Sequence, residues 1–418
     1  MNSSAPAEFT GRGARGFLPR IETLRGFAAL AVAWGHSGAI MNLASGNSNA
    51  AGPYALRSLL HLSFWAMNGS AAVILFFVIS GLVLGLMLDG TGSAAISPRR
   101  YAAFLVRRVS RLYPAHWAAL IIFLPLAWGF LFRSPVADPA FLAAQPPSLR
   151  WWFDGTIFGH IYPRLLAGTA ALYYQFYNGV VWSLRVEMQA CLVLPLLVWV
   201  TRHRRLYLDL GALAALIAIA ALVDTSVRPD AVFLYLPAFH LGAMAGTHGP
   251  AITTKLAGRR GATLAALILS YTVFAVPTAL VRSPDVHLLL VLDISLGAFG
   301  MVVLIAWANL GYLDWLFLNR ASRSVGRLSY SFYLWHWLVL VATVRALLVL
   351  TPGPVLVGPL NIPLFLTVAG FTIITALGIA ALSYRWIERP FIAVGRTLAM
   401  RVQGDHNRNR GAASAASV

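Results

Sequence analysis

Ser70-Ala71-Ala72-Val73-Ile74-Leu75-Phe76-Phe77-Val78-Ile79-Ser80-Gly81-Leu82-Val83-Leu84-Gly85-Leu86-Met87-Leu88 is a run of nineteen residues without a charge. As a helix rising about 1.5 Å per residue it is about 28 Å long, close to the hydrocarbon thickness of a bilayer. Apolar on every side, it suits lipid or a deep helical core rather than a water-facing surface. The rest of the chain agrees. Of its 418 residues, 59% are apolar and 11% charged, and the mean hydropathy is +0.72, where a soluble domain has about half and about a quarter. These proportions exclude an ordinary soluble fold and a disordered chain, and a single cysteine excludes a disulfide scaffold. The fold class is all-α, a polytopic membrane protein. Cys191, inside an apolar run, reads as a buried and inert thiol.

Working outward from 70–88, the other apolar segments are 24–44, 116–132, 181–200, 207–223, 231–248, 262–281, 288–309, 328–350 and 362–384, which predicts ten transmembrane helices. Segment 149–178 is apolar in part but carries Arg150, Asp154, His160, Pro163 and Arg164. Those groups are costly in lipid, so it is expected as a re-entrant or surface segment on the outer side. The first apolar run is long and follows about 20 polar residues, the pattern of a retained anchor rather than a signal peptide.

The net charge of +18 raises nucleic acid as a partner, but its distribution points to membrane topology. With both termini cytoplasmic, the alternating inner segments hold 24 of the 32 basic residues and the outer ones six, with Arg185 and Arg345 inside spans. An excess of basic residues on the cytoplasmic side is the usual asymmetry. Counting 149–178 as a span would place the later basic clusters outside. The expected organisation is a cytoplasmic segment over 1–20, a transmembrane domain over 21–395 and a disordered cytoplasmic tail over 396–418. All but one of the basic residues are arginine, the exception being Lys255.

Ionisable groups inside spans are expensive, and each is a functional candidate. Arg25 opens the first span and His36 lies eleven residues on, about 16 Å deeper. A histidine at that depth suits a general base or an acyl acceptor, and equally a neutral imidazole shared between helices. The fourth span opens Trp182-Ser183-Leu184-Arg185-Val186-Glu187. Glu187 has a depth compatible with meeting His36, where a carboxylate would orient the ring. Arg185 and Glu187, two apart, do not share a helix face. Asp293 is the other mid-span carboxylate, with no partner assigned.

The inner loop before the third span contains Arg107-Arg108-Val109-Ser110-Arg111-Leu112-Tyr113-Pro114. Arg108 and Arg111 are spaced to share a face and grip phosphates, although basic residues belong in any inner loop. The ninth span begins Gly326-Arg327-Leu328-Ser329-Tyr330-Ser331-Phe332-Tyr333-Leu334-Trp335-His336. Ser329, Tyr333 and His336 form a polar stripe aimed at other helices, and Tyr330 overlaps it. Glu388-Arg389-Pro390 is expected to end the last helix with a structural salt bridge. Metal-ligand motifs, a P-loop and a Rossmann glycine fingerprint are absent from the sequence.

In order along the chain, five stretches carry a likeness. They are Leu24-Arg25-Gly26 to His36, Phe76-Phe77-Val78-Ile79-Ser80-Gly81, Arg108 to Pro114, Trp182-Ser183-Leu184 with Glu187, and the pair Ser329-Tyr330 to His336 and Ser383-Tyr384 to Pro390. Together they resemble the acyltransferase 3 family of integral-membrane O-acyltransferases over nearly the full length. The resemblance implies transfer of an acyl group, commonly acetyl, from cytoplasmic acyl-CoA, a co-substrate rather than a bound cofactor. The acceptor would be a hydroxyl of a cell-surface glycan or lipid-linked sugar at a bacterial inner membrane. By that likeness His36 is the base or transient acyl carrier, Glu187 orients it, and Arg25, Arg108 and Arg111 hold the CoA phosphates. Trp182, Ser183, Arg185, Tyr330, Tyr333 and His336 support the substrate or the site.

One departure is Arg185, where the family often has a small residue. Some relatives carry a fused extracytoplasmic esterase-like domain, for which no length follows the tenth segment. Action alone or with a separate extracytoplasmic transferase is expected. Two other readings stand beside this one. One is acylation of a small hydroxylated metabolite such as a macrolide. The other is a proton-coupled exporter of glycans, in which His36 and Glu187 relay protons.

Overall fold

The computed structural model describes residues 18–45, 62–64, 66–89, 97–126, 180–201, 203–222, 232–276, 287–350 and 362–404. Segment 149–178 lies outside them. Among the described residues the chain is helical without strands: α1 (Pro19–Ser45), α2 (Gly69–Asp89), α3 (Pro98–Leu126), α4 (Val181–Thr201), α5 (Leu206–Leu222), α6 (Val232–Thr254), α7 (Arg260–Ala275), α8 (His287–Trp307), the short α9 (Asp314–Phe317), α10 (Arg320–Leu350), α11 (Ile362–Ser383) and α12 (Arg389–Gln403). Each of the ten apolar segments falls largely on one of these helices over its described residues. Among the described residues, four runs are long and apolar enough to cross a membrane: Leu62–Leu88, Val181–Thr201, Leu288–Trp307 and Ile362–Gln403.

Two glycine crossings set the helix packing. α1 meets α10 where Gly26 faces Gly326. A Cβ on Gly26 would stand 2.7 Å from the Gly326 nitrogen, and one on Gly326 2.6 Å from the Glu22 carbonyl oxygen. α2 meets α6 at Gly81 and Gly242, where added Cβ atoms would collide with the carbonyls of Phe239 and Val78. Between membrane helices, where lipid is as apolar as leucine, backbone approach of this kind supplies the packing energy. The largest buried cluster runs from Ile21 and Val32 of α1 through Phe77 and Ile79 of α2 to Phe239 of α6 and Val302 of α8. The start of α1 is tied to α9 by an Arg20–Asp314 ion pair at 2.7 Å and by the Thr23 hydroxyl, which donates to the Phe317 carbonyl at 2.6 Å.

Three expectations about the basic end change. The Arg99–Arg111 stretch is not a loop. It is the first half of α3, which starts at Pro98 after a Ser97 cap, with Arg100 N–H donating to Ser97 Oγ at 3.4 Å. Proline at the first helical position and a serine before it are favourable start signals, and the polar stretch after them lacks a breaker until Pro114. Nor does the last helix end at Glu388. A π turn over Tyr384–Glu388 leads directly into α12. The tail expected to be disordered from 396 is therefore helical as far as Gln403. α12 is amphipathic and packs on α3, its Gly395 seated against the side chain of Ser110. Ile392, Gly395 and Ala399, at helical spacing, give it a packing face that its low overall hydropathy conceals.

Candidate active site

Two cavities share a wall, the smaller between α1, α2, α4 and α10 and the larger reaching α6 and α8 as well. The smaller, about 40 Å³, is lined by Arg25, Ser80, Glu187, Ser329 and Tyr330 among others. The larger, about 530 Å³, is lined by His36, Asn68, Ser70, Trp182, Tyr235 and their neighbours. Val73 and Tyr333 belong to both walls. Each helix acts as a depth ruler: Trp182 and Glu187 are five residues apart on α4, about 7.5 Å, and so fall in different cavities.

The narrow end is charged. Arg108 is 8% exposed, and its guanidinium reaches Glu187 Oε1 at 3.2 Å. Ser80 Oγ donates to the same oxygen at 3.2 Å. Arg25 lies within electrostatic reach of Arg111, Glu187, Glu388 and Arg108. The π turn brings buried Glu388 to face α10, where Ser331 Oγ donates to its Oε2 at 2.9 Å, and π bulges recur at functional sites for such re-aiming. The salt bridge expected next to Glu388 is replaced by this hydrogen bond. The Tyr330 hydroxyl donates to the Leu112 carbonyl, fastening α10 to α3. The three arginines singled out in the sequence thus converge, among the carboxylates Glu187, Glu388 and Glu22.

The wide end carries a different pair from the one expected. His36 Nδ1 lies 3.1 Å from His336 Nε2, with the rings stacked at 9°. Trp337 packs edge-on against His36, centroids 5.1 Å apart. Glu187 is engaged by Arg108 and Ser80 in the other cavity, so it does not orient His36 by contact. The reason is depth: Glu187 lies a turn and a half beyond Trp182, past the level of the histidines. His336 Nδ1 is 3.2 Å from the Phe332 carbonyl, which can only accept, so that nitrogen carries the proton. With neutral rings, His336 Nε2 must then accept from His36 Nδ1–H. The remaining lone pair falls on His36 Nε2, the nitrogen a general base uses.

His36 and His336 each lie ten residues beyond the glycines where α1 and α10 cross. The two helices run parallel and touch at two matched heights, about 15 Å apart. Between the cavities, the Tyr333 hydroxyl and Ser183 Oγ are 2.8 Å apart, and Ser183 donates to the Val180 carbonyl at 2.9 Å. Trp182 packs edge-on against Phe77 and tilted against Tyr235. Arg185 is half-buried on α4, and Asp293 is exposed on α8, outside both cavity walls. Ser80, expected only as part of a motif, holds Glu187, and His336, expected as support, pairs with His36. The matched spacing of Gly26 to His36 and Gly326 to His336 was the signal that could have paired the histidines.

With this geometry the comparison with known proteins is direct. The family model described as an acyltransferase domain, acyltransferase 3, matches residues 18–384. The chain belongs to the acyltransferase 3 family. Its five motif stretches lie within the matched range, except for the last residues after Tyr384. The chain is similar to "Putative peptidoglycan O-acetyltransferase YrhL" of Bacillus subtilis (strain 168), 26% identical over 378 residues, covering 82% of this chain and 54% of that protein. It thus spans about half of that relative's length. It is also similar to "Putative membrane-bound transacylase BcsY" of Komagataeibacter xylinus, 26% identical over 336 residues, covering 78% of this chain and 80% of that protein. No solved structure matches.

Proposed function

We propose that the chain is a bacterial inner-membrane acyltransferase of ten spans with both termini cytoplasmic. It moves an acyl group, acetyl in the simplest case, from cytoplasmic acyl-CoA to a hydroxyl of a cell-surface glycan or lipid-linked sugar. The observation that carries this reading is a guanidinium cluster and a base-ready imidazole at two cavities that share Tyr333 and Val73 as wall residues. Relatives named for O-acetyl transfer and transacylation support the reaction class.

In this reading Arg25, Arg108 and Arg111 hold the phosphates of CoA, where charge-assisted forks are strongest. The pantetheine arm carries the thioester past Tyr333, which must turn aside because the inner cavity is narrow. His36 Nε2 takes the proton of the acceptor hydroxyl as its oxygen attacks the thioester carbonyl. The carbon–sulfur bond then breaks, and the CoA thiolate takes the proton back from the imidazolium. His336 holds the His36 tautomer that this requires, the part a carboxylate plays in a triad. Trp182 and Tyr235 wall the acceptor side, and Ser183 steadies Tyr333.

The test is transfer of label from acetyl-labelled acetyl-CoA by purified protein in lipid, with a glycan acceptor and a His36→Ala control. Label on the acceptor with the wild type alone is the expected result. Equal transfer by the control would overturn the assignment of His36. Absence of both transfer and CoA binding in the wild type would overturn the reaction.

A further inference from the structure

A third cavity, a groove of about 520 Å³, runs alongside the His36 cavity and shares Met67 and Asn68 with its wall. α1, α2, α7 and α8 form it, with Leu313, Leu316 and Phe317 closing the far end. From Leu24 to Ala31 it follows α1 for about 10 Å. Its hydrogen-bonding side chains are Asn68 and Tyr271, and both are already engaged. Asn68 Oδ1 accepts from the Ala71 N–H at 3.0 Å, and its Nδ2 donates to the Ala275 carbonyl at 3.3 Å. The Tyr271 hydroxyl donates to the Ala66 carbonyl. The groove therefore offers a ligand mainly apolar contact. Its rim on α7 is open, with Ile268 57% exposed beside exposed Leu264 and Leu269, a surface that suits bilayer hydrocarbon.

We infer that this groove holds the hydrocarbon tail of a lipid-borne acceptor whose hydroxyl-bearing head reaches His36 past Met67 and Asn68. The inference rests on the acyltransferase reading and adds to it the class of acceptor, an amphiphile that never leaves the membrane. The donor is not the occupant, because its phosphates belong to the arginine cluster, and the path from there to His36 runs through Tyr333 rather than past Met67. A soluble metabolite is disfavoured because the nearly apolar lining offers few partners for its polar groups. Tail and head sites that share a wall let one molecule fill both.

The experiment uses protein in lipid nanodiscs and a dodecyl glucoside carrying a diazirine in mid-chain. On irradiation, adducts are expected on the groove faces of α1 and α7, and they should disappear in Ala72→Phe, which plugs the floor, and in Ile268→Trp, which covers the rim. Ile268 is exposed, so that variant keeps the measurement open if Ala72→Phe does not fold. Label transfer from acetyl-CoA to dodecyl and methyl glucoside gives a second readout. Bilayer lipid is itself apolar, so chain-length preference in the wild type includes partitioning into the membrane. The plugged variants share that partitioning, and their preference for the dodecyl acceptor should fall by about tenfold, equivalent to about 1.4 kcal/mol. Adducts confined to lipid-facing side chains outside the groove, or an unchanged preference in both variants, would overturn the inference. Groove adducts without transfer to any acceptor would instead overturn the acyltransferase reading and leave the tail site standing.

Discussion

The two ends of the site are built on opposite principles. At the Arg25 end, charges are redundant: Arg25 and Glu187 line a narrow cavity, with further guanidiniums and carboxylates within electrostatic reach around it, and the loss of one leaves others in place. At the His36 end, a cavity more than ten times larger is served by one hydrogen-bonded imidazole pair. Binding a polyanion tolerates diffuse charge, whereas proton transfer requires one atom in one state. Substitutions at the first end should therefore act gradually on donor affinity, and at the second abruptly on turnover.

The most severe test of that contrast is His36→Ala, expected to lower kcat by about a thousandfold with the acyl-CoA KM little changed, as for loss of a general base. Steady-state transfer assays would measure both; a fall in donor affinity instead would merge the two ends. Next is His336→Ala, which removes the acceptor that fixes the His36 tautomer and should cost about 30-fold in kcat, the worth of about 2 kcal/mol. His336→Gln, whose carbonyl can accept the same hydrogen bond, should recover most of it while moving the pH profile. No recovery would mean a purely structural role. Arg111→Ala should raise the acyl-CoA KM about tenfold, as loss of a charged contact to phosphate does, with kcat nearly intact.

Glu187→Gln sharpens the contrast more finely. It should alter donor KM by about threefold to tenfold through the loosened Arg108, while the pH profile of kcat stays at its wild-type position. A displaced profile would restore Glu187 to the side of His36. The smallest effect is expected from Tyr333→Phe, which gives up the hydroxyl's neutral hydrogen bonding to Ser183 and the Val180 carbonyl, at about 1 kcal/mol. Thermal unfolding in detergent should register it as a small loss, with transfer retained because the wall between the cavities remains.

The helices were legible because apolar segments of bilayer length carry their own signal. Legibility failed where a segment's character depends on its neighbour. α12 is polar enough to pass for tail, and only the surface of α3 makes its buried face meaningful. The Arg99–Arg111 stretch passed for a loop because its charges mask helical spacing. In the site, the residues were identifiable as types in motifs, but their partners were not. Glu187 and His36 are a natural couple chemically, yet each pairs according to its height in the bundle, which is set by the helix crossings. Arg108 was chosen for phosphate, and its hold on Glu187 was invisible without the fold.

The parallel pair α1 and α10, joined at Gly26–Gly326 and again at His36–His336, also limits how this protein can change in length. Adding or deleting one residue in 27–35 or 327–335 would turn everything beyond it by about 100° and slide it by about 1.5 Å. One imidazole would then swing off the other while both glycines stayed in place. Substitutions between the two contacts are negotiable, but insertions and deletions there are not. Only a matched change in both helices would keep the two imidazoles facing each other, so any that survive should come in pairs.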